Sequence, residues 1–292
     1  MHFETVTLSL QGDRNQNQDR CVVLSDGGCA LLLLADGMGG HPKGEMAAQI
    51  LMDTGRTAFE AASKPIDDPL GFLDDVLNSA HEQIVAYGRN HRPPIDPRST
   101  AVAALVQNGS AYWVHVGDSR LYLFRGYRII KRTTDHSFVE QMRGRGLLSE
   151  DDRTAQRYRN LVTQCLGGTG MRFNTSRGHP IAMVSRDILL LCSDGLWGQF
   201  PDDQLIAQMR HHGSLKRMAD ELVHSAEQAG APASDNVTLV ALRWIGEEKR
   251  QPAELAAAQP RATDDKPDAA EEQLQDAIDH LRSAVNNFES NK

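Results

Sequence analysis

A run of four leucines that ends in an acidic, glycine-rich turn constrains this chain more than any other stretch. Leu31 to Leu34 lie within the segment ALLLLADGMGG, residues 30–40. A continuous apolar run of this length is typical of a short strand buried on both faces. Asp36 follows the run, and the three glycines after it allow a tight turn. The segment predicts a rigid strand with a carboxylate at its end, although an Asp-Gly pair by itself indicates only a hairpin turn.

Four other aspartates stand where predicted strands begin or end. They are Asp19 after the polar stretch RNQNQ, Asp118 after the strand-like VHVG, Asp194 after ILLLCS, and Asp235 before the strand-like NVTLVAL. Hard divalent cations such as Mg²⁺ and Mn²⁺ prefer oxygen ligands, and aspartates scattered along the chain can supply them from one sheet edge. The set of five therefore indicates a metal site more specifically than any single member does.

These stretches, in this order, resemble the metal-dependent serine/threonine protein phosphatases of the PPM, or type 2C, family. The matching stretches are RNQNQD (14–19), DGMGG (36–40), GDSR (117–120), SDG (193–195) and DNVT (235–238). DGMGG followed by His41 and by Gly44-Glu45 is similar to the bacterial branch in particular. The resemblance extends over residues 3–244. It implies an α+β fold in which two stacked antiparallel β-sheets are flanked by helices on both sides.

The order of the predicted elements indicates the same fold class. N-terminal strands are followed by two helices, several strands, two more helices and a last strand. This order is typical of an α+β layered protein and not of an alternating βαβ chain. The individual predictions include a strand over 3–10, a helix that begins near Asp68-Pro69, a short helix over 136–143 and one strand over 181–191.

The family resemblance implies roles for the acidic residues. It implies two Mn²⁺ or Mg²⁺ ions bridged by a water or hydroxide, which attacks the phosphorus directly and forms no phosphoenzyme. Asp36 would bind both ions, and the Gly37 carbonyl would bind one of them. Asp194 and Asp235 would complete the protein ligands of the first ion. Asp19 would ligate or orient bound water.

Two further assignments follow from the resemblance. Asp118, together with Asp194, matches the ligands of a third metal site, with Asn160 as a further candidate ligand, so two or three ions are expected. Arg14 matches the phosphate-binding arginine of the family, whose planar fork suits two phosphate oxygens. Without the family, a solvated loop charge would be the favoured interpretation of Arg14.

One position departs from the family pattern. Many eukaryotic members place a histidine directly after the metal-binding Asp-Gly, where it is thought to protonate the leaving group. This chain has Met38 there, which cannot donate a proton. His41 is close in sequence, but a lone histidine beside a glycine turn is more often structural or exposed. A metal-bound water is the alternative, and the leaving-group acid is left unassigned.

Two functions of different classes remain open at this point. The first is a phosphatase that hydrolyses phosphoserine and phosphothreonine in proteins and reverses the action of a bacterial Ser/Thr kinase. The second is a phosphoprotein-binding or adaptor module on a phosphatase fold. A degenerate member would be expected to lack an aspartate at position 36, 194 or 235, and none is missing. The residues therefore favour the enzyme, with phosphorylated proteins as its partners.

Composition excludes other classes of function. The net charge of −8 argues against nucleic acid as the main partner. No stretch approaches the ~18 consecutive apolar residues of a membrane helix, and the N-terminus lacks the pattern of a secretory signal. We therefore expect no membrane association and a cytoplasmic location. The four cysteines show no CxxC or zinc-type spacing and are interpreted as structural.

The chain is predicted to have three parts. Residues 1–246 form the phosphatase domain, with a flap at about 136–170. Residues 247–267 are rich in proline and alanine and predict a flexible linker. Residues 268–292 predict an amphipathic helix with an apolar seam of Leu274, Ile278, Leu281, Val285 and Phe288. The hypothesis is that this helix docks on a second copy or a pathway partner; the alternative is that it packs on its own domain or stays frayed.

Overall fold

The computed structural model describes residues 3–148, 158, 161–169, 173–209 and 213–246. These residues belong to the first of the chain's two units, Met1–Lys249. The predicted linker and C-terminal helix, and also Asn160, lie outside the described residues. No helix in the described ranges is long and apolar enough to cross a membrane.

The elements in the first half of the chain are β1 (Phe3–Leu10), β2 (Arg20–Asp26), β3 (Cys29–Ala35), α1 (Gly44–Ala61), α2 (Pro69–Asn90), β4 (Arg98–Ser99), β5 (Ala101–Gln107) and β6 (Ser110–Val116). Those in the second half are β7 (Arg120–Arg125), β8 (Arg128–Arg132), α3 (Phe138–Gly144), β9 (Leu166–Gly167), β10 (Ser176–Arg177), β11 (Ile181–Ala182), β12 (Ile188–Cys192), α4 (Asp194–Trp197), α5 (Asp202–Met209), α6 (Leu215–Gly230) and β13 (Val237–Trp244).

Two antiparallel sheets form the centre of the molecule. The five-stranded sheet has the order β1-β13-β12-β7-β8, and the six-stranded sheet has the order β10-β6-β5-β3-β2, with β11 also paired to β6. One apolar core lies between the sheets. A second lies between the six-stranded sheet and α1 and α2, and a third between the five-stranded sheet and α4, α5 and α6. The predicted α+β fold, two stacked sheets flanked by helices on both sides, is confirmed.

The leucine run is continuous because β3 is covered on both faces. Leu31 and Leu33 pack toward α1 and α2, whereas Leu32 and Leu34 pack into the core between the sheets. Successive side chains of a strand point to opposite faces, so each face receives two of the four leucines. All four are fully buried, and each contributes about 1.5–3 kcal/mol of burial free energy. The strand that carries Asp36 is therefore firmly fixed.

The helix boundaries follow local signals in the sequence. Helix α2 begins at Pro69, and the Asp68 side chain caps it by accepting a hydrogen bond from the Gly71 N–H at 3.0 Å. This confirms the helix predicted near Asp68-Pro69. Helix α3, predicted over 136–143, is found at Phe138–Gly144 with Ser137 as its N-cap.

The single strand predicted over 181–191 is wrong. Strand β11 pairs with β6 in the six-stranded sheet, while β12 pairs with β7 and β13 in the five-stranded sheet. The chain changes sheet between them at Arg186, whose φ is +73°. Asp187 is fully buried at this crossing and accepts hydrogen bonds from the Arg125 side chain and the Val184 N–H. One apolar run can thus contain two strands when a buried polar turn divides it.

Candidate metal centre

The predicted metal ligands converge on one cavity of about 320 Å³ where the two sheets meet. Its lining includes Asp36, Gly37, Asp118, Asp194 and Asp235, together with Arg14. Asp19 lies behind this lining, where its carboxylate accepts a hydrogen bond from the Ser193 hydroxyl at 2.8 Å. The folding of the chain therefore gathers all five aspartates, which span positions 19 to 235 of the sequence.

The Asp36-Gly37 turn is held by the first residues after β4. The Thr100 N–H donates to the Asp36 carbonyl at 2.9 Å, and the Asp36 N–H donates to the Thr100 hydroxyl at 3.0 Å. A Cβ atom at Gly37 would lie 2.5 Å from the backbone of Gly44 and 2.8 Å from the Gln18 carbonyl. Position 37 must therefore be glycine for the start of α1 to approach the turn this closely.

A second close approach brings Asp194 and Asp235 together. Asp194 is the first residue of α4, and only Ser193 separates it from β12. A Cβ atom at Gly195 would lie 2.0 Å from the Asn236 carbonyl, so only glycine lets this turn rest against the entry to β13. The Asp-Gly pairs at 36 and 194 thus have the same requirement but meet different neighbours.

Arg14 binds Asp235 in the structure. Its Nε and Nη2 donate to the two carboxylate oxygens of Asp235 at 2.8 and 2.6 Å. The Arg14 side chain is 57% exposed and that of Asp235 is 33% exposed. The guanidinium predicted to bind phosphate therefore lies at the cavity, but its fork is engaged by one of the predicted metal ligands.

Asp19 and Asp118 are the most deeply buried of the five carboxylates. Both residues are less than 5% exposed. The Asp19 Oδ2 accepts from Ser193, whereas its Oδ1 has no hydrogen-bond partner among the described residues. Asp118 lies on the link between β6 and β7, next to Ser119, whose hydroxyl lies 2.7 Å from that of Thr100. Thr100 therefore connects the turns that carry Asp36 and Asp118.

Burial raises the pKa of four of these carboxyl groups. It raises the pKa of Asp19 to about 7, of Asp118 to about 8 and of Asp194 to about 6. Burial also raises the pKa of Asp36 well above its usual range, and repulsion from Asp19 and Asp194 adds to the effect. The charged forms of these carboxyl groups are therefore unfavourable in the desolvated site, and a bound cation would stabilise them.

The donor set fits hard divalent cations. All side-chain candidates are carboxylates, and the unpartnered Asp19 Oδ1 is an acceptor without a donor. As they are placed, no group of three or more His, Cys, Asp or Glu side chains in the described part of the chain could hold an ion. In this arrangement Arg14 occupies the carboxylate of Asp235. Metal ligation by Asp235 would replace this contact.

The predicted flap begins and returns beside the Asp118 turn. The His136 N–H donates to the Gly117 carbonyl at 2.9 Å, and the Gly117 N–H donates to His136 Nδ1 at 3.2 Å. The Thr163 N–H donates to the His136 carbonyl at 2.8 Å, and Val162 lines the metal cavity. The described ends of the segment are therefore tied to the metal centre.

Sequence reasoning assigned no role to Asn236, which organises the loop that carries Arg14. Its side-chain nitrogen donates to the carbonyls of Gln11 and Gln16 at 2.8 and 3.1 Å, and its side-chain oxygen accepts from the Gln18 N–H at 2.8 Å. Asn236 lies within the motif DNVT, and its position next to Asp235 is the feature of the sequence that could have indicated a role for it. The same applies to Ser193 in SDG, which precedes Asp194 and binds Asp19.

A cavity lined by aspartates at the meeting edges of two antiparallel sheets suits a metal-dependent enzyme of the α+β class. The family model described as protein phosphatase 2C matches residues 10–237 of the chain. The chain belongs to the protein phosphatase 2C family.

Named relatives and solved structures agree with this assignment. The serine/threonine phosphatase stp of Listeria monocytogenes is 28% identical over 216 residues, which cover 72% of this chain and 82% of the relative. The phosphatase PstP of Mycobacterium tuberculosis is 30% identical over 214 residues, 73% of this chain and 40% of the relative.

Among solved structures, Stp1 from Staphylococcus aureus matches with a TM-score of 0.77 and 27% identity, covering 84% of this chain and 96% of that one. The catalytic domain of PstP in complex with 2 manganese ions matches with a TM-score of 0.70 and 28% identity, covering 84% and 99%.

Proposed function

We propose that this chain is a divalent-metal-dependent protein phosphatase that hydrolyses phosphoserine and phosphothreonine in proteins. The observation that carries the proposal is the convergence of Asp36, Asp118, Asp194 and Asp235 beside Arg14 on one cavity. Family membership and the names of the relatives support the same activity. A phosphoprotein-binding module without catalysis is not favoured, since such a module would not need to bury so many charged groups at one point.

Specific ligands are proposed for the metal ions, two or three Mn²⁺ or Mg²⁺. Asp36 and the Gly37 carbonyl, with Asp194 and Asp235, would hold two ions, and Asp118 with Asp194 would hold a third. When bound, such ions polarise the phosphoryl oxygens and lower the pKa of water. The support from this chain is the raised pKa of Asp36, Asp118 and Asp194, because charged carboxylates in this cavity need a nearby cation.

Arg14 is proposed to exchange Asp235 for the substrate phosphate. Its fork is preorganised for two oxygens, as the bidentate contact with Asp235 demonstrates. Once a cation neutralises Asp235, the attraction that holds the guanidinium weakens, and more than half of the side chain is already exposed. Arg14 would then orient the phosphate and stabilise its developing charge.

Asp19 is proposed to orient water from the back of the site. It is buried, and one of its oxygens is free to accept a hydrogen bond. Met38 and His41 both line the metal cavity, but Met38 has no proton to donate. Burial, and after it the charge of Arg98, lowers the pKa of His41, which disfavours the protonated imidazolium that could act as an acid. The leaving-group acid therefore stays unassigned.

The deciding experiment measures phosphate release from a phosphothreonine peptide by the full chain. Activity should require Mn²⁺ or Mg²⁺ and disappear in EDTA, and the Asp194→Asn variant should be inactive under both conditions. Peptide binding without phosphate release would favour the binding module instead. Full activity in EDTA would contradict metal dependence.

Two partner assignments belong to the same proposal. The opposing enzyme would be a bacterial Ser/Thr kinase, because a phosphatase of this type removes the phosphate that such a kinase adds. Residues 268–292 are proposed as a docking helix for a second copy or a pathway partner. The support is the apolar seam of the sequence alone.

A further inference from the structure

A second cavity, of about 850 Å³, opens directly onto the metal centre. It shares Arg14, Asp194 and Asp235 with the smaller cavity. Its remaining walls include three arginines, Arg120, Arg132 and Arg143, and the segment 195–202. We call it the basic cavity. A group bound there would lie beside the phosphate site and not on a separate face of the protein.

Arg120 serves as part of the wall. Its Nε and Nη2 each donate to Asp135 at 2.8 Å, and its side chain is only 13% exposed. The guanidinium also lies 3.5 Å from the centroid of a Trp197 ring, a cation–π contact that fixes the indole. With both its fork and its face occupied, Arg120 is unsuited to bind a further anion.

Arg132 and Arg143 are held much more loosely. Arg132 donates to Asp202 at 3.0 Å, and both side chains of this pair are 39% exposed. Arg143 donates to Glu140, three residues earlier in α3, and it is 35% exposed. Its Nε is a buried atom without a hydrogen-bond partner among the described residues, whereas the rest of the guanidinium has only the Glu140 contact. Exposed ion pairs of this kind contribute little to stability, so an incoming anion can replace the carboxylates at low cost.

The size of the basic cavity limits the distance along the peptide between the phosphorylated residue and an anion bound by Arg132 and Arg143. A sphere of 850 Å³ is roughly 12 Å across, the length of about three to four extended residues at ~3.3 Å each. A peptide whose phosphate lies against Arg14 would therefore place only its nearest neighbours in the basic cavity.

We infer that Arg132 and Arg143 form an anion subsite for an acidic group within about three residues of the phosphorylated residue. The inference rests on the proposed function and adds a preference among substrates. The acidic group is a carboxylate or a second phosphate, since both accept the charge-assisted hydrogen bonds that a guanidinium donates. Asp202 competes with the acidic group of the substrate for Arg132 and thereby weakens this preference.

The test compares kcat/KM on three phosphothreonine peptides, whose flanking residues are alanine, aspartate or phosphoserine. The wild-type full chain with Mn²⁺ should prefer the acidic peptides over the alanine peptide by about tenfold, mainly through KM. The ratio of kcat/KM for the aspartate peptide to kcat/KM for the phosphoserine peptide distinguishes the two sources of negative charge. Higher ionic strength should reduce the preference, because exposed charges are screened.

Variants assign the preference to the two arginines. Arg132→Gln and Arg143→Gln should each reduce the ratio of acidic to alanine peptide by about threefold, and the double variant should abolish it. Arg128→Gln on the same strand and Arg145→Gln after α3 are matched controls, because both residues are exposed and outside the cavity lining. Both controls should retain the wild-type ratio. Asp202→Asn should change the ratio in the opposite direction and raise it.

The outcomes separate this inference from the proposed function. Equal hydrolysis of all three peptides by the wild type would overturn the anion subsite and leave the phosphatase assignment intact. Survival of the preference in the double variant would also overturn it. No metal-dependent hydrolysis of any peptide would overturn both. A lower ratio in Asp202→Asn would contradict competition between Asp202 and the substrate for Arg132.

Discussion

The two sheets contribute to the same centre under different electrostatic conditions. The six-stranded sheet supplies Asp19 and Asp36 from the ends of β2 and β3, and neither carboxylate has an arginine or lysine partner among the described contacts. The five-stranded sheet supplies Asp194 and Asp235 from the ends of β12 and β13, and Arg14 neutralises Asp235. One half of the site thus contains its own cation, whereas the other half needs one from solution.

This difference indicates which carboxyl groups lower the stability of the metal-free protein. Burial raises the pKa of Asp19 to about 7 and that of Asp36 well above its usual range, so their charged forms are unfavourable without metal. The proposed metal binding requires those charges, so the site residues are expected to lower the stability of the metal-free fold. Variants on the two sides should therefore affect activity in the same way and stability in different ways.

The largest expected effect is on catalysis. Asp36→Asn and Asp194→Asn should each lower kcat at least ~100-fold, since each removes a charge from the metal ligands. In EDTA, however, Asp36→Asn should raise Tm by a few degrees because it removes a desolvated carboxyl group whose ionisation is unfavourable, whereas Asp235→Asn should change Tm little because its ion pair with Arg14 is exposed. Asp26→Asn, at an exposed hairpin, is the control and should change neither quantity. A lower Tm for Asp36→Asn would contradict the comparison.

A smaller loss of activity is expected when the guanidinium of Arg14 is removed. Arg14→Ala should lower kcat/KM about 10-fold or more, because the phosphate loses a bidentate partner. Metal affinity, measured by calorimetry with Mn²⁺, should be unchanged or tighter, since Asp235 is released from its ion pair. If Arg14→Ala instead emptied the metal site, its assigned role would be wrong. Arg217→Ala, an exposed helix arginine paired with Glu221, serves as the control.

The pH dependence of metal-free stability should show the same asymmetry. A carboxyl group whose folded pKa is raised keeps its proton at pH values where the unfolded chain has lost it. Folding stability therefore falls as the pH rises from about 4, the unfolded pKa, to about 7 or 8, the folded values for Asp19 and Asp118. Melting in EDTA should give a lower Tm at pH 8 than at pH 5.

Saturating Mg²⁺ or Mn²⁺ should remove most of this decline, because the ions bind the charged carboxylates of the folded state only. Asp36→Asn should flatten the metal-free profile more than Asp235→Asn does. A Tm in EDTA that did not change over this pH range would mean that the carboxylates are less buried than the structure places them.

The smallest effect is expected from removal of the tail, residues 247–292, in which the sequence places none of the predicted site residues. A chain that ends at Gly246 should keep its kcat on p-nitrophenyl phosphate, because every ligand assigned here lies before that position. Loss of activity or folding would show that residues 247–292 belong to the catalytic core. The oligomeric state of both chains, from light scattering, would test docking on a second copy.

Much of the fold followed from short apolar runs and local capping signals. Leu31 to Leu34 predicted a doubly covered strand, and Asp68-Pro69 predicted the start of α2, because both depend on nearby residues alone. The division of 181–191 between two sheets could not be predicted. It depends on Asp187, whose buried contact with Arg125 forms only when distant parts of the chain meet. Strand β8, mostly exposed and basic, was likewise missed.

The site divides in the same way. The aspartates were identified because each belongs to a short motif, and the motifs occur in a fixed order. The pairing of Arg14 with Asp235 and the support of its loop by Asn236 join residues more than two hundred positions apart, and no local pattern predicts them. Arg132 and Arg143 of the basic cavity belong to no matched motif. Only the packed structure places them beside the phosphate site.

The outermost strand pair of the five-stranded sheet has a practical consequence for engineering. Strands β1 and β13 run antiparallel in full register, so that Phe3 lies opposite Trp244. Paired residues on such strands have their Cα atoms only about 5 Å apart. The two ends of the folded domain could therefore be joined by a few residues, and the ring reopened at a tight exposed turn such as Gly126-Tyr127. A circularly permuted enzyme of this design would keep every strand neighbour in both sheets and present its new termini on another face.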